Sequence, residues 1–246
     1  MIRAISFDYW DTLYHGAPDP ARATLRQNAI RRLMRTLGHA VDDAELMAVY
    51  RASGAEADRW WREEHRGYTG AERVHWMLRR LGIERPEDCE HVTAACAEVD
   101  ASLVTLPPPL IDGARQVVET LHRHPQIAAL AIVSDSGFAS GRGQDRLLEH
   151  DQLLDYFPVR IYSCDVGHAK PHARPFQAAV DALGVRPEEV LHIGDNERTD
   201  VEGALRAGLR AVRADFVRRN GSSVAEFVAG SHEELSEYLE SVLDGG

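Results

Sequence analysis

The chain has 246 residues, 44% of them hydrophobic, enough for one sizeable core with room for an inserted helical unit. Its formal net charge is −11 and no run of Lys and Arg tracks along it, so a nucleic-acid partner is not expected. No stretch approaches the ~20 apolar residues of a membrane span, and the first residues run straight into a strand pattern rather than a leader. Three cysteines, Cys89, Cys96 and Cys164, lack paired spacing, which argues against a disulfide frame or a zinc site. A cytoplasmic protein with reduced thiols is expected.

Residues 4–7 read as a buried strand that ends abruptly at Asp8 and delivers the polar turn Asp11-Thr12-Leu13-Tyr14-His15-Gly16. From about Pro20 to about Val104 the pattern is helical, rich in Arg, Ala, Glu and Leu, with breaks at Gly38, at Gly67-Tyr68-Thr69-Gly70 and at Gly82. Pro107-Pro108-Pro109 marks a boundary. Beyond it come a helix near 112–123, a strand at 127–133 ending in Ser134-Asp135, and a helix near 144–154. A strand near 159–163, a helix at 175–183 stopped by Gly184, and a short strand at 190–193 ending in Gly194-Asp195 follow. A helix near 201–207 and a strand at 210–212 close the series. Strands alternating with helices in this way predict an α/β fold, a parallel sheet covered on both faces, with ligands beyond the carboxyl ends of the strands.

The polar positions gather at those ends. Asp8, fixed after a strand, is a usable nucleophile if a metal and a cation neutralise the electrophile. Ser134 can donate a hydroxyl to a phosphoryl oxygen, Lys170 supplies a compact positive charge, and Asp195 and Asp200 offer the hard oxygen ligands that Mg²⁺ prefers. Singly, each has a plainer reading: a helix cap or turn former for the aspartates and the serine, a solvated surface charge for the lysine. Four segments in order weigh more than any one. Phe7-Asp8-Tyr9-Trp10-Asp11-Thr12-Leu13, Ile132-Val133-Ser134-Asp135, Lys170-Pro171 and Gly194-Asp195 through Asp200 resemble the haloacid dehalogenase (HAD) superfamily, in its phosphatase-like branch.

That resemblance implies a Rossmann-like catalytic core over residues 1–14 and 106–246, with residues 15–105 inserted as an α-helical cap. It implies Asp8 as covalent nucleophile, with Ser134, Asp135, Lys170 and Trp10 at the substrate. It further implies Mg²⁺ held by Asp8, the Trp10 carbonyl, Asp195 and Asp200, and a small phosphorylated metabolite as substrate. No membrane partner is expected, and a monomer or a homodimer fits equally.

One position departs from the resemblance. Two residues after the nucleophile, phosphatases of the family carry a second Asp that protonates the leaving group, and here Trp10 stands there. Indole has neither a usefully acidic proton nor a basic lone pair, so acid–base help worth ~10²–10⁴-fold cannot come from it. Three accounts compete: a substrate whose leaving group needs no acid, Asp11 acting in its place, or dehalogenation, since 2-haloacid dehalogenases also carry an aromatic residue there. For Asp11 a loop hydrogen bond is the favoured reading. A silent binding protein is a further alternative. His15 is the histidine best placed as a substitute acid. In the cap, Trp60, Trp61, His65, Arg66, Tyr68, His75 and Trp76 are candidates for substrate contact, although adjacent Trp60 and Trp61 cannot both face one way on a helix. Arg22 and Arg26, one turn apart, could bind an anion, with a solvated helix face as the favoured reading.

Overall fold

The computed structural model describes residues 1–219 and 221–244. Its strands are β1 (Ala4–Phe7), β2 (Ala129–Ser134), β3 (Val159–Tyr162), β4 (Val190–Gly194), β5 (Arg210–Ala214) and β6 (Phe227–Ala229). They form one parallel sheet in the order β3-β2-β1-β4-β5-β6. The chain leaves central β1 for one side of the sheet and then crosses to the other, so β1 and β4 flank a topological switch point. In register, Phe7 lies beside Ile132 and Ile193. Asp8, Ser134 and Asp195 therefore emerge near one another at the carboxyl edge.

Both sheet faces are covered, as the predominantly apolar β1, β2 and β4 require. On one face Ile5, Phe7, Ile132, Leu191 and Ile193 pack under α5 (Ala114–Arg123), α6 (Gly141–His150) and α10 (His232–Asp244). On the other, Ala4, Val133 and Val190 meet Phe176 and Val180 of α8 (Ala173–Leu183) and Ala204 of α9 (Glu202–Arg206). Between β3 and α8 lies the single turn α7 (Ser163–Val166).

Between β1 and β2 the chain forms α1 (Pro20–Thr36), α2 (Asp43–Arg62), α3 (Gly70–Arg80) and α4 (Glu90–Thr105). These helices enclose their own apolar cluster, including Ile30, Leu33, Leu46, Val74, Leu78, Val92 and Val99. Their starts are written locally: the Asp19 carboxylate accepts from the Ala21 and Arg22 amides ahead of Pro20, and Thr69 with Glu72 forms a capping box.

Several boundaries differ from the sequence expectation. The helix expected near 144–154 is α6, starting at residue 141 because the Ser140 hydroxyl caps it by accepting from Gly143 N. The helix expected at 201–207 opens with a π-helical turn over Glu197–Val201. Edge strand β6 and helix α10 lie beyond the elements expected from sequence; β6 is three residues long and too short to show periodicity.

Two positions tie the parts together. Gly67, between α2 and α3, lies against the α7 turn of the sheet unit, donating its amide to Gly167 O at 3.2 Å. A Cβ at Gly67 would fall 1.8 Å from the Ser163 carbonyl oxygen. Gly67→Ala must push the insertion off the sheet unit, and a loss of about 2–3 kcal/mol is expected by urea unfolding; an unchanged midpoint would contradict this close docking. At the other end, buried His232 donates Nδ1–H to the Asp112 carbonyl at 3.0 Å, with its ring against Phe216. Burial pulls its pKa from 6.5 down to about 4. The unfolded chain therefore binds a proton below 6.5 that the folded chain resists, so stability is full above pH 6.5 and falls as pH drops toward 4. The loss is on the order of 3 kcal/mol. His232→Asn keeps a donor for Asp112, and its midpoint is expected to vary less over that window.

Candidate active site

Asp8 continues β1, its amide bonded to Ile193 O of β4 at 2.8 Å. Its carboxylate is 6% exposed and accepts from Lys170 Nζ at 2.6 Å. Lys170 comes from the loop ahead of α8, is 2% exposed, and also reaches Asp200 Oδ1 at 2.5 Å. One ammonium thus bridges the first and last carboxylates of the sequence pattern, from positions 162 and 30 residues away.

Asp200 is held on every side. Its Oδ1 also faces His192 Nε2 at 3.2 Å, while Oδ2 accepts from Asn196 N and from Thr199 Oγ1, both at 3.1 Å. Gly194 makes room for it, since a Cβ there would lie 2.5 Å from the Asp200 carboxyl carbon. His192 in turn meets Ser6 Oγ at 2.9 Å across the β1–β4 register. With Nε2 donating to the carboxylate, Nδ1 is left to accept from the serine. Burial lowers the pKa of His192 and keeps it neutral.

Carboxylate oxygens of Asp8, Asp195 and Asp200 all lie within 4.8 Å of one another. Burial pushes the Asp8 carboxyl well above its usual range, against the pull of Lys170 and with the push of Asp200 and Asp195. Asp195 is pushed up to about 7, by burial first and then by Asp200. Burial acts on Asp200 in the same direction, yet Lys170 and the His192 hydrogen bond outweigh it and hold this carboxyl below its usual range. On Lys170, burial is outweighed by Asp200 and Asp8, so the ammonium stays charged. Asp8, Asp195 and Asp200 crowd around Lys170, and a hard divalent cation is the partner that would let all three carboxyls ionise together.

At the end of β2, Asp135 is clamped: Oδ1 accepts from Lys170 N at 2.9 Å and Oδ2 from Trp61 Nε1 of α2 at 2.8 Å. This bond joins the helical insertion to the site. Ser134 is placed differently from the sequence expectation. It is 2% exposed and its hydroxyl donates to Gln144 Oε1 of α6 at 2.9 Å, so its one O–H is directed away from the cavity. Ser136 lines the cavity instead, its amide fixed by Ser163 Oγ at 2.8 Å.

Asp11 takes a left-handed conformation, φ 54°, uncommon for a residue with a side chain. Its Oδ1 accepts from Gly16 N at 2.7 Å and its Oδ2 pairs with Arg218 at 2.9 Å, so the carboxylate organises its own loop. Asp8, Trp10, Trp61, Lys170 and Asp195 are among the walls of one cavity of about 530 Å³. Of the candidate aromatic and basic residues in the insertion, Trp61 and Tyr68 reach it. Trp60 packs edge-on to Tyr68 under Arg66, which pairs with Glu72. His75 is buried at 7% exposure and Trp76 packs beneath Arg80, while His65 meets Arg198 at 3.2 Å. His15 is not among the cavity's walls.

Sequence reasoning missed His192, Asn196 and Thr199 as the setting of Asp200. A histidine inside an otherwise apolar strand, Val190-Leu191-His192-Ile193, was the available signal for the first.

The doubly covered parallel sheet, with an acid and lysine cluster at its carboxyl edge, places the protein among α/β enzymes that work at a topological switch point. The model of the haloacid dehalogenase-like hydrolases matches residues 2–208, and the chain belongs to that family of hydrolases. It is 29% identical over 243 residues to the glyceraldehyde 3-phosphate phosphatase of Methanopyrus kandleri, covering 96% of each chain. A 63-residue stretch is 46% identical to the phosphoserine phosphatase of Thermus thermophilus, covering 26% of this chain and 25% of that one. Among solved structures, the 2-haloacid dehalogenase from Pseudomonas syringae pv. Tomato DC3000 matches with a TM-score of 0.69 at 20% identity, over 98% of this chain and 100% of that one. The HAD phosphatase from Thermococcus onnurineus matches with a TM-score of 0.65 at 22% identity, over 97% and 98%. At these identities the structural likeness shows the fold. No helix among the described residues is long and apolar enough to cross a membrane.

Proposed function

We propose that the chain is a Mg²⁺-dependent phosphatase of small phosphorylated metabolites, with Asp8 as nucleophile. The observation that carries this reading is the bridge of Lys170 between Asp8 and Asp200, set on the floor of an open cavity. Asp8 and Asp195 are suited to hold the metal, with the Trp10 carbonyl, and Asp200 acts through the groups it anchors. Bound there, Mg²⁺ supplies charge neutralisation at the phosphoryl oxygens.

A carboxylate oxygen of Asp8 forms a bond to phosphorus as the bond to the leaving oxygen breaks, giving an acyl phosphate on Asp8 that water then opens. Lys170 holds the nucleophile and the phosphoryl group together and offsets their repulsion. Beyond β2, the loop of Asp135, Ser136 and Gly137 forms the wall of the cavity beside Lys170. The helices α1–α4 serve as a cap over the site, tied to it by the bond from Trp61 to Asp135.

No acid is provided at Trp10, and Asp11 is engaged by Gly16 and Arg218. Substrates with leaving groups of low pKa, such as acyl phosphates, fit this site. Trp10→Asp is expected to raise kcat/KM on alkyl phosphates by ~10²-fold and to change aryl phosphates little; equal effects on both would count against this account. Dehalogenation is the second reading, favoured by Trp10 and opposed by the three-acid cluster. The deciding assay follows phosphate from an activated aryl phosphate and chloride from 2-chloropropionate, each with Mg²⁺ and with EDTA. Phosphate release that EDTA abolishes is expected; chloride release that EDTA spares would overturn the proposal.

A further inference from the structure

A second cavity, of about 670 Å³, adjoins the first and shares Trp10, Tyr68 and Gly137 with it as walls. It lies under the helical insertion, and three arginines line it: Arg22 and Arg26 of α1 and Arg73 of α3. Such cations are ordinarily paired when buried. Here the Arg26 Nε donates to Ser102 Oγ at 3.0 Å and the Arg73 Nε to Ser53 Oγ at 3.0 Å. Among the described residues, neither guanidinium has a carboxylate within ion-pair distance. Arg22 is 8% exposed, held by the Leu106 carbonyl at 3.0 Å and by Asp19 at 3.6 Å.

The acids on these walls do not cancel the arginines. Asp19 is taken up as the cap of α1, and Asp58 is exposed where the two cavities join. Arg73 is set over the Phe138 ring at 4.3 Å and the Tyr50 ring at 5.4 Å, which fixes its plane. Gly54 keeps the space beside it clear, since even a Cβ there would lie 3.4 Å from Arg73 Nη2. Burial, helped by the like charges of Arg22 and Arg73, pulls the Arg26 guanidinium below its usual range despite Tyr50 and Asp100. Fixed, half-buried guanidinium forks match the geometry of an oxyanion.

We infer that Arg26 and Arg73, with Arg22 behind them, form a subsite for a second oxyanion on the substrate, so that the preferred substrate is a phosphate ester or anhydride whose far end bears a carboxylate or a second phosphate. This rests on the phosphatase reading. One end of such a molecule sits at Asp8 and Lys170, and its tail passes Trp10 and Tyr68 to the arginines. The chamber adjoins the catalytic cavity, with Trp10, Gly16, Asp58, Tyr68 and Gly137 as walls of both.

The test compares three acyl phosphates of equal chain length, ending in an ω-hydroxyl, an ω-carboxylate and an ω-phosphate, with the wild-type protein and with Arg26→Gln and Arg73→Gln. The wild-type kcat/KM is expected to favour a charged tail by about 10- to 100-fold, and each variant to shrink that ratio by about 10-fold, mainly through KM. Which charged tail wins separates carboxylate from phosphate. The wild-type ratio needs no variant to fold. A ratio near one, with phosphate still released, would overturn the subsite and leave the phosphatase reading standing. Absence of phosphate release from every substrate would overturn both.

Discussion

Asp8→Asn should abolish phosphate release, by ~10⁴-fold or more, while the protein stays folded. Asparagine fills the same volume and still presents an oxygen to Lys170, but a neutral amide is a poor nucleophile. Stability should hold or rise, because the wild-type carboxyl is buried beside Asp195 and Asp200, and its replacement removes that repulsion. The result to look for is an unfolding midpoint at or above wild type, together with the absence of any burst of product in single-turnover mixing. Turnover at a wild-type rate in this variant would remove Asp8 from the chemistry and the acyl phosphate with it.

Lys170→Met has the opposite character, a large loss in both stability and rate. The lysine is 2% exposed, and its Nζ is the cation in contact with Asp8 and Asp200. Methionine nearly fills the space but leaves two buried carboxylates without their counter-charge, which costs about 3–5 kcal/mol in comparable cases. Asp200 keeps His192, Asn196 and Thr199 as partners, so the damage should centre on Asp8. The rate should fall ~10³-fold or more, since the phosphoryl group loses its fixed positive partner. Urea unfolding and phosphate release measure the two losses separately. A variant as stable as wild type would mean that the carboxylates find other neutralisation.

The contrast between these substitutions reflects how the site is assembled. A nucleophile is a property of one residue and its exposure, whereas the lysine acts through two partners that only the fold places beside it. The same division explains which residues sequence reasoning located. Asp8 and Asp195 follow strands whose apolar runs are unmistakable, so their place at the sheet's edge was legible. Lys170 and Asp200 were recognisable by their order in the pattern. Ser134 was expected at the substrate on the same grounds, yet the direction of its hydroxyl depends on Gln144, which α6 brings across from ten residues away.

Adjacent Trp60 and Trp61 show the limit from another side. Helical geometry required them to diverge, but which one enters the cavity depended on the docking of α2 over β2 and on Asp135 as the acceptor waiting there. Arg22 and Arg26 read as a solvated helix face because the sequence does not say what covers α1. Packing against α4 and the approach of α3 turned that face inward and added Arg73 to it.

By itself the sequence determined the α/β class, the helical stretch between the first two strands, and the order of the carboxylates and the lysine along the chain. Those signals are local: hydrophobic period, turn residues, and motifs that need only neighbouring positions to be read. Only the tertiary structure decided the partners of those groups: the pairing of Ser6 with His192, the seating of Asp200, the turning away of Ser134, and the meeting of Arg26 with Arg73 beneath the insertion. The first and last of these join segments distant in sequence, the other two depend on how neighbouring elements pack, and in each burial and register select one orientation from several that the local chain permits equally.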